Sequence, residues 1–301
     1  MNKSLTLSIM LILTSVTVTA QTYHEDDKEG LRIFLRQPSA EKGKINAERL
    51  GLEISDTLDW YKSEKWVKKI GISKRKYKHK RKWSRVKYLI WNEETPKRLD
   101  AIFWGGKRFA GALNANKWSE LTFLYCNANQ LTALDVSTNS KLVHLNCSDN
   151  LLTTLDVSTN TALFCLSCSH NLLTTLDVSA NTKLRDLYYY NNNLLLSELF
   201  TISEKTNSHY KPLSSQTLPE QTVSLGKELV FSIPQNVFNG IYTEFTVTQN
   251  DNPVSENNYT ITEGKITFNK TGVYIVKMTN EAIISNPNFP AEVVFEVRVV
   301  E

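Results

Sequence analysis

Leucines recur at a fixed spacing between residues 121 and 196, and this is the most regular pattern in the chain. The copies begin 21 residues apart, and a second leucine follows three positions into each copy, at Leu121, Leu142, Leu163 and Leu184, and at Leu124, Leu145, Leu166 and Leu187. A period of this length predicts a solenoid, because one copy cannot bury its apolar side without neighbouring copies. A degenerate copy precedes the regular ones, with apolar residues at Leu99, Ile102, Trp104, Phe109 and Leu113.

Apolar and polar positions alternate over a short stretch of each copy, such as HLNC at 144–147, which predicts a short strand. Leu145 and Cys147 would then point into the coil, while His144 and Asn146 face outward. Asn150 sits where a side-chain amide can bind backbone groups around a tight turn, as do Asn129, Asn171 and Asn192. The full pattern, L-x-x-L-x-C-x-x-N-x-L and then x-x-L-D-V-S-x-N-x-x, is that of a leucine-rich repeat.

The nested 21-residue unit with a cysteine in the strand resembles exported bacterial leucine-rich-repeat proteins, including the cysteine-ladder internalins. Cys126, Cys147 and Cys168 form the ladder, and Tyr189 takes the fourth position. Parallel inward Cβ vectors are poor disulfide geometry, so we expect buried thiols that pack as small hydrophobic side chains. The resemblance implies a repeat fold and a binding role, without naming a ligand.

The residues before the repeats predict an export signal and then a cap. An apolar run from Leu5 to Val18 follows Lys3 and precedes Ala20, which predicts a signal peptide over 1–20. This run is short for a membrane span, so we expect no transmembrane segment after cleavage; an uncleaved anchor is the alternative. Residues 24–98 resemble the helical N-terminal cap of leucine-rich-repeat ectodomains, with a short amphipathic helix over 27–35.

A basic insert interrupts the predicted cap between residues 74 and 87. It holds nine basic residues and no acidic one, whereas the whole chain has a net charge of +4, so the rest would carry 4 − 9 = −5. The insert is either a solvated loop or a polyanion-binding segment for sulfated glycan or lipid phosphate; nucleic acid is disfavoured, because no nucleic-acid fold signature accompanies it. The candidate polyanion-binding residues are Lys74, Arg75, Lys76, Lys78, Lys80, Arg81 and Lys82.

The repeat pattern ends after Tyr190, and the chain changes character. Residues 195–204 predict a helix that covers the last coil, which completes a solenoid domain over 99–206. Residues 207–219 contain two prolines and predict a linker. Residues 220–301 show a period of two, over 222–233, 242–248, 259–268, 273–278 and 293–300, which predicts an immunoglobulin-like β-sandwich. The predicted fold class is therefore mixed and β-rich: a short solenoid with a helical N-terminal cap, followed by the sandwich.

Motifs for catalysis or metal binding are absent from the sequence. It contains no nucleotide-binding loop, HExxH, GxSxG or paired-cysteine zinc spacing. We therefore predict a protein that is not an enzyme and has no cofactor and no metal site. His144, Cys165 and Asp186 share one outward column, which supports an alternative as an enzyme or a zinc site. A further column, Asp135, Asp156 and Asp177, is expected to accept local backbone or serine hydrogen bonds rather than bind a cation.

The outward face of the predicted strands is rich in aromatic and polar side chains. Tyrosine is favoured in contacts because it offers a large area at a low entropy cost. We expect this face to bind a protein or a glycan through Phe123, Tyr125, His144, Asn146, Ser167, Asp186, Tyr188 and Tyr190. The function predicted is that of a secreted or cell-surface, non-catalytic binding or adhesion protein; a purely structural surface component, in which Tyr188 to Tyr190 only close the solenoid, is another alternative.

Overall fold

A computed structural model describes residues 24–49, 89–93, 96–205, 215–231, 235–283 and 291–301. The predicted signal peptide (1–20), the basic insert (74–87) and residues 207–214 of the predicted linker lie outside the described residues. The α-helices of the described part are α1 (Glu25–Arg36), α2 (Asn46–Arg49) and α3 (Leu196–Lys205), and a short 3-10 helix spans Glu256–Asn258.

A parallel sheet runs along one side of the repeats. The strands of this half are β1 (Leu89–Trp91), β2 (Leu99–Phe103), β3 (Ala110–Asn114), β4 (Phe123–Tyr125), β5 (Gln130–Asp135), β6 (His144–Asn146), β7 (Cys165–Ser167) and β8 (Asp186–Tyr188). β2, β4, β6, β7 and β8 are parallel neighbours, with Leu124, Leu145, Leu166 and Leu187 in register, and β1 adds antiparallel to β2. The predicted β-rich solenoid is confirmed, with about four turns.

The cysteine ladder lies inside the solenoid, as the strand alternation requires. Cys126, Cys147, Cys168 and Tyr189 are each no more than 1% exposed, and the cysteines are free thiols. Burial raises the pKa of Cys147 to about 12, because a thiolate would lose its hydration there. These side chains therefore pack as neutral core groups.

Buried asparagines satisfy the backbone at the turn after each strand. Asn150 Nδ2 donates to the carbonyl oxygens of Cys126 (3.0 Å) and Cys147 (2.9 Å), and Asn150 Oδ1 accepts from Leu131 N (3.0 Å). Asn129, Asn171 and Asn192 donate to the equivalent carbonyls. A buried backbone group without a partner is costly, so this turn asparagine ladder supports every coil. The expectation for these residues is confirmed.

A second column of asparagines, which we call the return asparagine ladder, lies on the other side of each coil at Asn139, Asn160 and Asn181. Asn160 Nδ2 donates to the carbonyl oxygens of Val136 (3.0 Å) and Asn139 (2.9 Å), and its two counterparts bond likewise. The Oδ1 atoms of all three are buried without a hydrogen-bond partner among the described residues. Sequence reasoning assigned no role to these residues, although they recur every 21 positions.

Helix α1 packs on the first coil. The Phe34 ring stacks on Trp104 at 5.1 Å between centroids, and Trp118 Nε1 donates to the Asp27 carbonyl (3.1 Å). The buried Asp27 carboxylate accepts from Arg98 Nε (3.0 Å) and from Leu99 N (2.7 Å). Burial raises the pKa of Asp27 even though these donors oppose the shift. The helix predicted over 27–35 is thus present and two residues longer at its start.

The residues after α3 form a second, mixed sheet and two hairpins. The strands are β9 (Gln216–Thr217), β10 (Gln221–Ser224), β11 (Val237–Phe238), β12 (Ile241–Tyr242), β13 (Glu244–Gln249), β14 (Asn252–Pro253), β15 (Tyr259–Thr262), β16 (Lys265–Phe268), β17 (Gly272–Thr279) and β18 (Glu292–Val300). The sheet order is β10-β18-β17-β13-β14, with β9 also on β18; β9 and β10 are parallel to β18 and the other pairs are antiparallel. The immunoglobulin-like assignment stays a prediction.

Three of the predicted strands differ from the observed ones. The stretch over 242–248 is divided at Thr243, because Tyr242 ends β12 and Glu244 begins β13 in a different sheet. The stretch over 222–233 ends as a strand at Ser224, because the chain turns at Gly226, whose φ is 74°. The stretch over 259–268 is a hairpin, since Glu263 and Gly264 both have positive φ values between β15 and β16. Period-two patterning alone does not distinguish one long strand from a tight hairpin.

The part of the predicted linker (207–219) that the structure describes, from residue 215 onward, packs on the solenoid. Gln216 is fully buried; its Oε1 accepts from Asn192 N (3.0 Å) and its Nε2 donates to the Tyr189 carbonyl (3.2 Å). The rings of Phe200 in α3 and Phe238 in β11 lie 5.3 Å apart. Gln216 therefore extends the turn asparagine ladder, and the second sheet packs against the last coil and its helix.

Candidate ligand-binding face

Two columns of outward side chains cross the parallel sheet, and together we call them the binding face. The first column is Phe123, His144, Cys165 and Asp186, and the second is Tyr125, Asn146, Ser167 and Tyr188. All eight side chains are half-buried. Neighbouring strands lie ~4.8 Å apart, so each column spans about 14 Å over three strand steps. Seven of the eight predicted ligand-binding residues are brought together here.

The eighth predicted residue, Tyr190, lies beyond the end of β8. Its ring packs edge-to-face against His170, with 5.2 Å between centroids and an interplanar angle of 83°. The His170 ring in turn lies within 3.2 Å of Asn191 Nδ2 through either ring nitrogen. Tyr190 therefore borders the binding face instead of continuing either column, and its role in binding stays a prediction.

Aromatic rings on neighbouring strands stack on one another at the N-terminal half of the face. Phe123 and His144 lie 4.9 Å apart at 11°, and Phe103 and Tyr125 lie 5.1 Å apart at 19°. The strand spacing matches the distance at which rings stack, so one face of each ring is covered by a neighbour. Sequence reasoning missed Phe103, although its position 22 residues before Tyr125 in the degenerate copy was a signal for it.

An aromatic side chain and a cation border the face next to β7 and β8. Phe164 is 36% exposed, lies 6.1 Å from the His144 ring, and has the Arg185 guanidinium 5.5 Å from its own centroid. A guanidinium placed over an aromatic ring is attracted by the negative face of the ring. Arg185 therefore packs on Phe164.

Small polar groups occupy the middle of the second column. Asn146 Oδ1 accepts from Ser148 N (3.1 Å), and the hydroxyls of Ser148 and Ser167 lie 2.6 Å apart. These bonds hold the Asn146 amide and the Ser167 hydroxyl in place. The face thus places polar groups between the aromatic side chains of Tyr125 and Tyr188, at either end of the same column.

The thiol of Cys165 is poorly suited to nucleophilic chemistry. Burial, together with the nearby Asp186 carboxylate, raises the pKa of Cys165 to about 11. Catalytic cysteines need the opposite shift, because the thiolate is the nucleophile. Among the described residues, no group of three or more histidine, cysteine, aspartate or glutamate side chains is arranged to hold a metal ion.

The aspartate column, Asp135, Asp156 and Asp177, makes the local hydrogen bonds expected of it. Each carboxylate accepts from the backbone N–H of the serine two residues later, at 3.1, 2.9 and 2.9 Å. Hydrogen bonds from Ser158 lower the pKa of Asp156, and hydrogen bonds from Ser179 lower the pKa of Asp177. The carboxylates therefore support turns.

No helix in the described parts of the chain is long and apolar enough to cross a membrane.

No family model and no curated protein matches the chain. The structure is similar to the functional domain of InlJ from Listeria monocytogenes, described as including a cysteine ladder, with a TM-score of 0.43 and 20% identity over 62% of this chain. It is also similar to the internalin-like protein lmo2027 from Listeria monocytogenes, with a TM-score of 0.34 and 17% identity over 67% of this chain. The chain spans 45% of the former and 76% of the latter, and neither likeness assigns it a ligand.

Proposed function

We propose that the chain is an exported, secreted or cell-surface binding protein that recognises a protein or glycan through the binding face. The observation that carries this proposal is the register of the two columns, which presents aromatic and polar groups side by side over about 14 Å. Aromatic anchors around a few oriented polar groups are typical of recognition surfaces. The Cys165 thiol is protonated at neutral pH, which favours binding over catalysis on this face.

In this proposal the two ends of the solenoid are capped. Helix α1 would close the first coil, since it covers Trp104 and Trp118, and α3 would close the last coil. Terminal units of solenoids need such covers, because their apolar ends otherwise meet water. The immunoglobulin-like domain proposed for 220–301 would space the binding face from its point of attachment.

Two tyrosine variants test the binding role of the face. Mature protein beginning at Gln21 is screened on a glycan array and against a displayed random-peptide library, and the best binder is titrated. Tyr125→Ala and Tyr188→Ala should each weaken binding by about 1–3 kcal/mol with little change in melting temperature. Tyr242→Ala, a matched substitution at an exposed residue of the β11–β12 hairpin, should change neither. Loss of stability with unchanged affinity would show that the aromatics only pack.

A separate proposal concerns the basic insert. We propose that residues 74–87 carry any affinity of the chain for sulfated glycans or anionic lipids, since nine positive charges lie together there. Replacing the basic residues by glutamine keeps the length and should abolish retention on a sulfated-glycan column. Retention of the unmodified protein should fall steeply with salt, because exposed charges are screened within ~8–10 Å at 0.1–0.15 M. Equal retention of both proteins would leave the insert as a solvated loop.

The proposed export has its own test. Cleavage after Ala20 predicts that the protein recovered from outside the producing cell begins at Gln21. Retention of Met1 in that protein would remove the argument for a cleaved signal.

A further inference from the structure

Asp186 is a carboxylate on the binding face that has no hydrogen-bond or ion-pair partner among the described residues. It is half-buried and lies at the end of the first column. Arg185, the adjacent cation, is placed over Phe164 instead. A carboxylate that is partly removed from water loses hydration, and without a donor nothing in the chain offsets that loss.

The other half-buried carboxylates of the solenoid differ in this respect. Asp100 accepts from Thr122 Oγ1 (2.6 Å), Glu120 pairs with Lys141, and Asp135 accepts from Ser137 N (3.1 Å). Between residues 99 and 190, where the structure describes every position, Asp186 is therefore the exception among carboxylates of this burial class. It is also the one that lies on the binding face.

The surroundings of Asp186 fit a long cationic side chain. Cys165 lies one strand away in the same column, about 5 Å distant, and presents a neutral thiol. Lysine and arginine carry an aliphatic stem that packs on apolar groups while the charged head stays at a polar site. A stem laid across Cys165 would bring its ammonium or guanidinium group to the Asp186 carboxylate.

The stacked aromatic rings at the N-terminal half of the binding face help to distinguish a polypeptide ligand from a sugar ligand. Sugars pack their C–H groups on exposed aromatic faces, whereas Phe123, His144, Phe103 and Tyr125 each have one face against a neighbouring ring. Ring edges carry partial positive charge, which suits peptide carbonyl oxygens. The stacked half of the face therefore favours a polypeptide.

We propose that the ligand of the binding face is a polypeptide that places a lysine or arginine side chain against Asp186, with its stem across Cys165. This rests on the binding role proposed above and adds the chemistry of the partner. The distance from Asp186 to Phe123, about 14 Å over three strand steps, equals roughly four residues of extended peptide at ~3.4 Å each. An aromatic or aliphatic residue of the ligand about four positions from the basic one would thus lie at the Phe123 end.

The test uses the mature full-length protein and a random heptapeptide library displayed on phage. Libraries are selected in parallel on the unmodified protein, on Asp186→Asn, on Asp186→Lys and on Asp149→Asn. The last variant is the matched control, because Asp149 is exposed in a turn off the face, has a φ of 54°, and tolerates asparagine in that conformation. Circular dichroism of each variant verifies folding before selection.

The proposal expects lysine or arginine to be enriched at one position with the unmodified protein and with Asp149→Asn. The enrichment of lysine or arginine should disappear in peptides selected on Asp186→Asn. Peptides selected on Asp186→Lys should instead be enriched in aspartate or glutamate at that position. Asp186→Asn should weaken the binding of a synthetic fluorescent copy of the best peptide by about 5- to 20-fold. This factor lies between the typical loss for an exposed ion pair and that for a hydrogen bond to a charged group. Replacing the basic residue of the peptide by norleucine should weaken binding by the same factor. Combining this peptide with Asp186→Asn should weaken binding no more than either change alone.

Three results would overturn the proposal. Selected peptides that need Tyr125 and Tyr188 but show no basic residue would refute the cation while leaving the binding face standing. Glycan-array binding that depends on these tyrosines, with no peptide enriched, would replace the polypeptide by a sugar chain. Peptides whose affinity is indifferent to Tyr125→Ala, Tyr188→Ala and Asp186→Asn alike would remove the binding role of the face itself.

Discussion

The two asparagine ladders make different numbers of hydrogen bonds, and this difference predicts unequal costs for the same substitution. Asn150 of the turn ladder donates to three backbone carbonyls and accepts from Leu131 N, whereas Asn160 of the return ladder donates to two carbonyls. The Asn160 Oδ1 atom is buried without a donor among the described residues. Both side chains are no more than 6% exposed, so burial does not separate them.

The expected magnitudes follow from these bonds. Asn150→Ala removes four bonds and leaves Leu131 N buried without an acceptor, which should lower the free energy of unfolding by about 3–5 kcal/mol. Asn160→Ala removes two bonds but also removes an unpaired buried oxygen, so a cost of roughly 0–2 kcal/mol is expected. The difference between the two changes in unfolding free energy isolates the hydrogen bonds, because both variants replace the same side chain by a methyl group.

Equilibrium urea unfolding measures this difference. The slopes of the two transitions should agree with that of the unmodified protein, since a change of slope would mean a changed unfolded state. Asn257→Ala, an exposed asparagine in the second sheet region, is the control and should stay within about ±0.5 kcal/mol. Equal costs for Asn150→Ala and Asn160→Ala, or a larger cost for Asn160→Ala, would refute the assignment of the ladder bonds.

Three further predictions concern ionisable and buried polar groups. In native protein only the Cys165 thiol should react with a disulfide reagent, and the other three cysteines should react only on unfolding. The rate at Cys165 should rise about tenfold per pH unit towards its pKa of about 11. Three or four fast-reacting thiols would contradict the buried cysteine ladder. Folding lowers the pKa values of the three carboxylates in the aspartate column. Their contribution to stability is therefore present above the pKa of the unfolded state and is lost as pH falls through the pKa of the folded state. Replacing all three by asparagine should reduce the loss of unfolding free energy with falling pH below about pH 4. Tyr189→Phe should leave stability unchanged or raise it by about 1 kcal/mol, because the Tyr189 hydroxyl is buried without a hydrogen-bond partner among the described residues. Tyr274→Phe should lower stability by about 0.5–1.5 kcal/mol, because the Tyr274 hydroxyl donates to the Lys270 carbonyl. The reverse order in thermal melts would contradict these assignments.

The strict repeat explains why so much of the solenoid could be predicted. A leucine every 21 residues sets the register, and the register then determines which side chains share a column, as for His144, Cys165 and Asp186. Strand alternation also places Cys147 inside the coil and Asn146 outside it from the sequence alone. These inferences need only the period and the chirality of the backbone.

Contacts between distant or non-repeating residues could not be predicted in this way. The pairing of Asp27 with Arg98 joins residues 71 positions apart, and no pattern in the sequence selects that partner. The docking of Gln216 on Asn192 likewise follows from where the chain returns after residues that no repeat constrains. The stacking of Phe103 on Tyr125 required the exact register of a degenerate copy, in which one extra residue shifts the count from 21 to 22.

The asparagine ladders lie on the inward side of each coil, whereas the columns of the binding face lie on the outward side, and this separation allows the two to vary independently. Backbone groups of each coil are satisfied mainly by inward residues such as Asn150 and Asn160, and the core is filled by leucine and cysteine. Asn146, whose Oδ1 accepts from Ser148 N, is the outward exception. Outward positions can therefore differ from coil to coil, as they do from Phe123 to Asp186, without an energetic penalty on the coil itself. The unpaired Asp186 carboxylate is tolerable for the same reason, because its cost is borne by one side chain and not by the ladder. In the proposed binding role, specificity would be set by which outward side chains lack partners in the chain, because these are the groups that a ligand would have to satisfy.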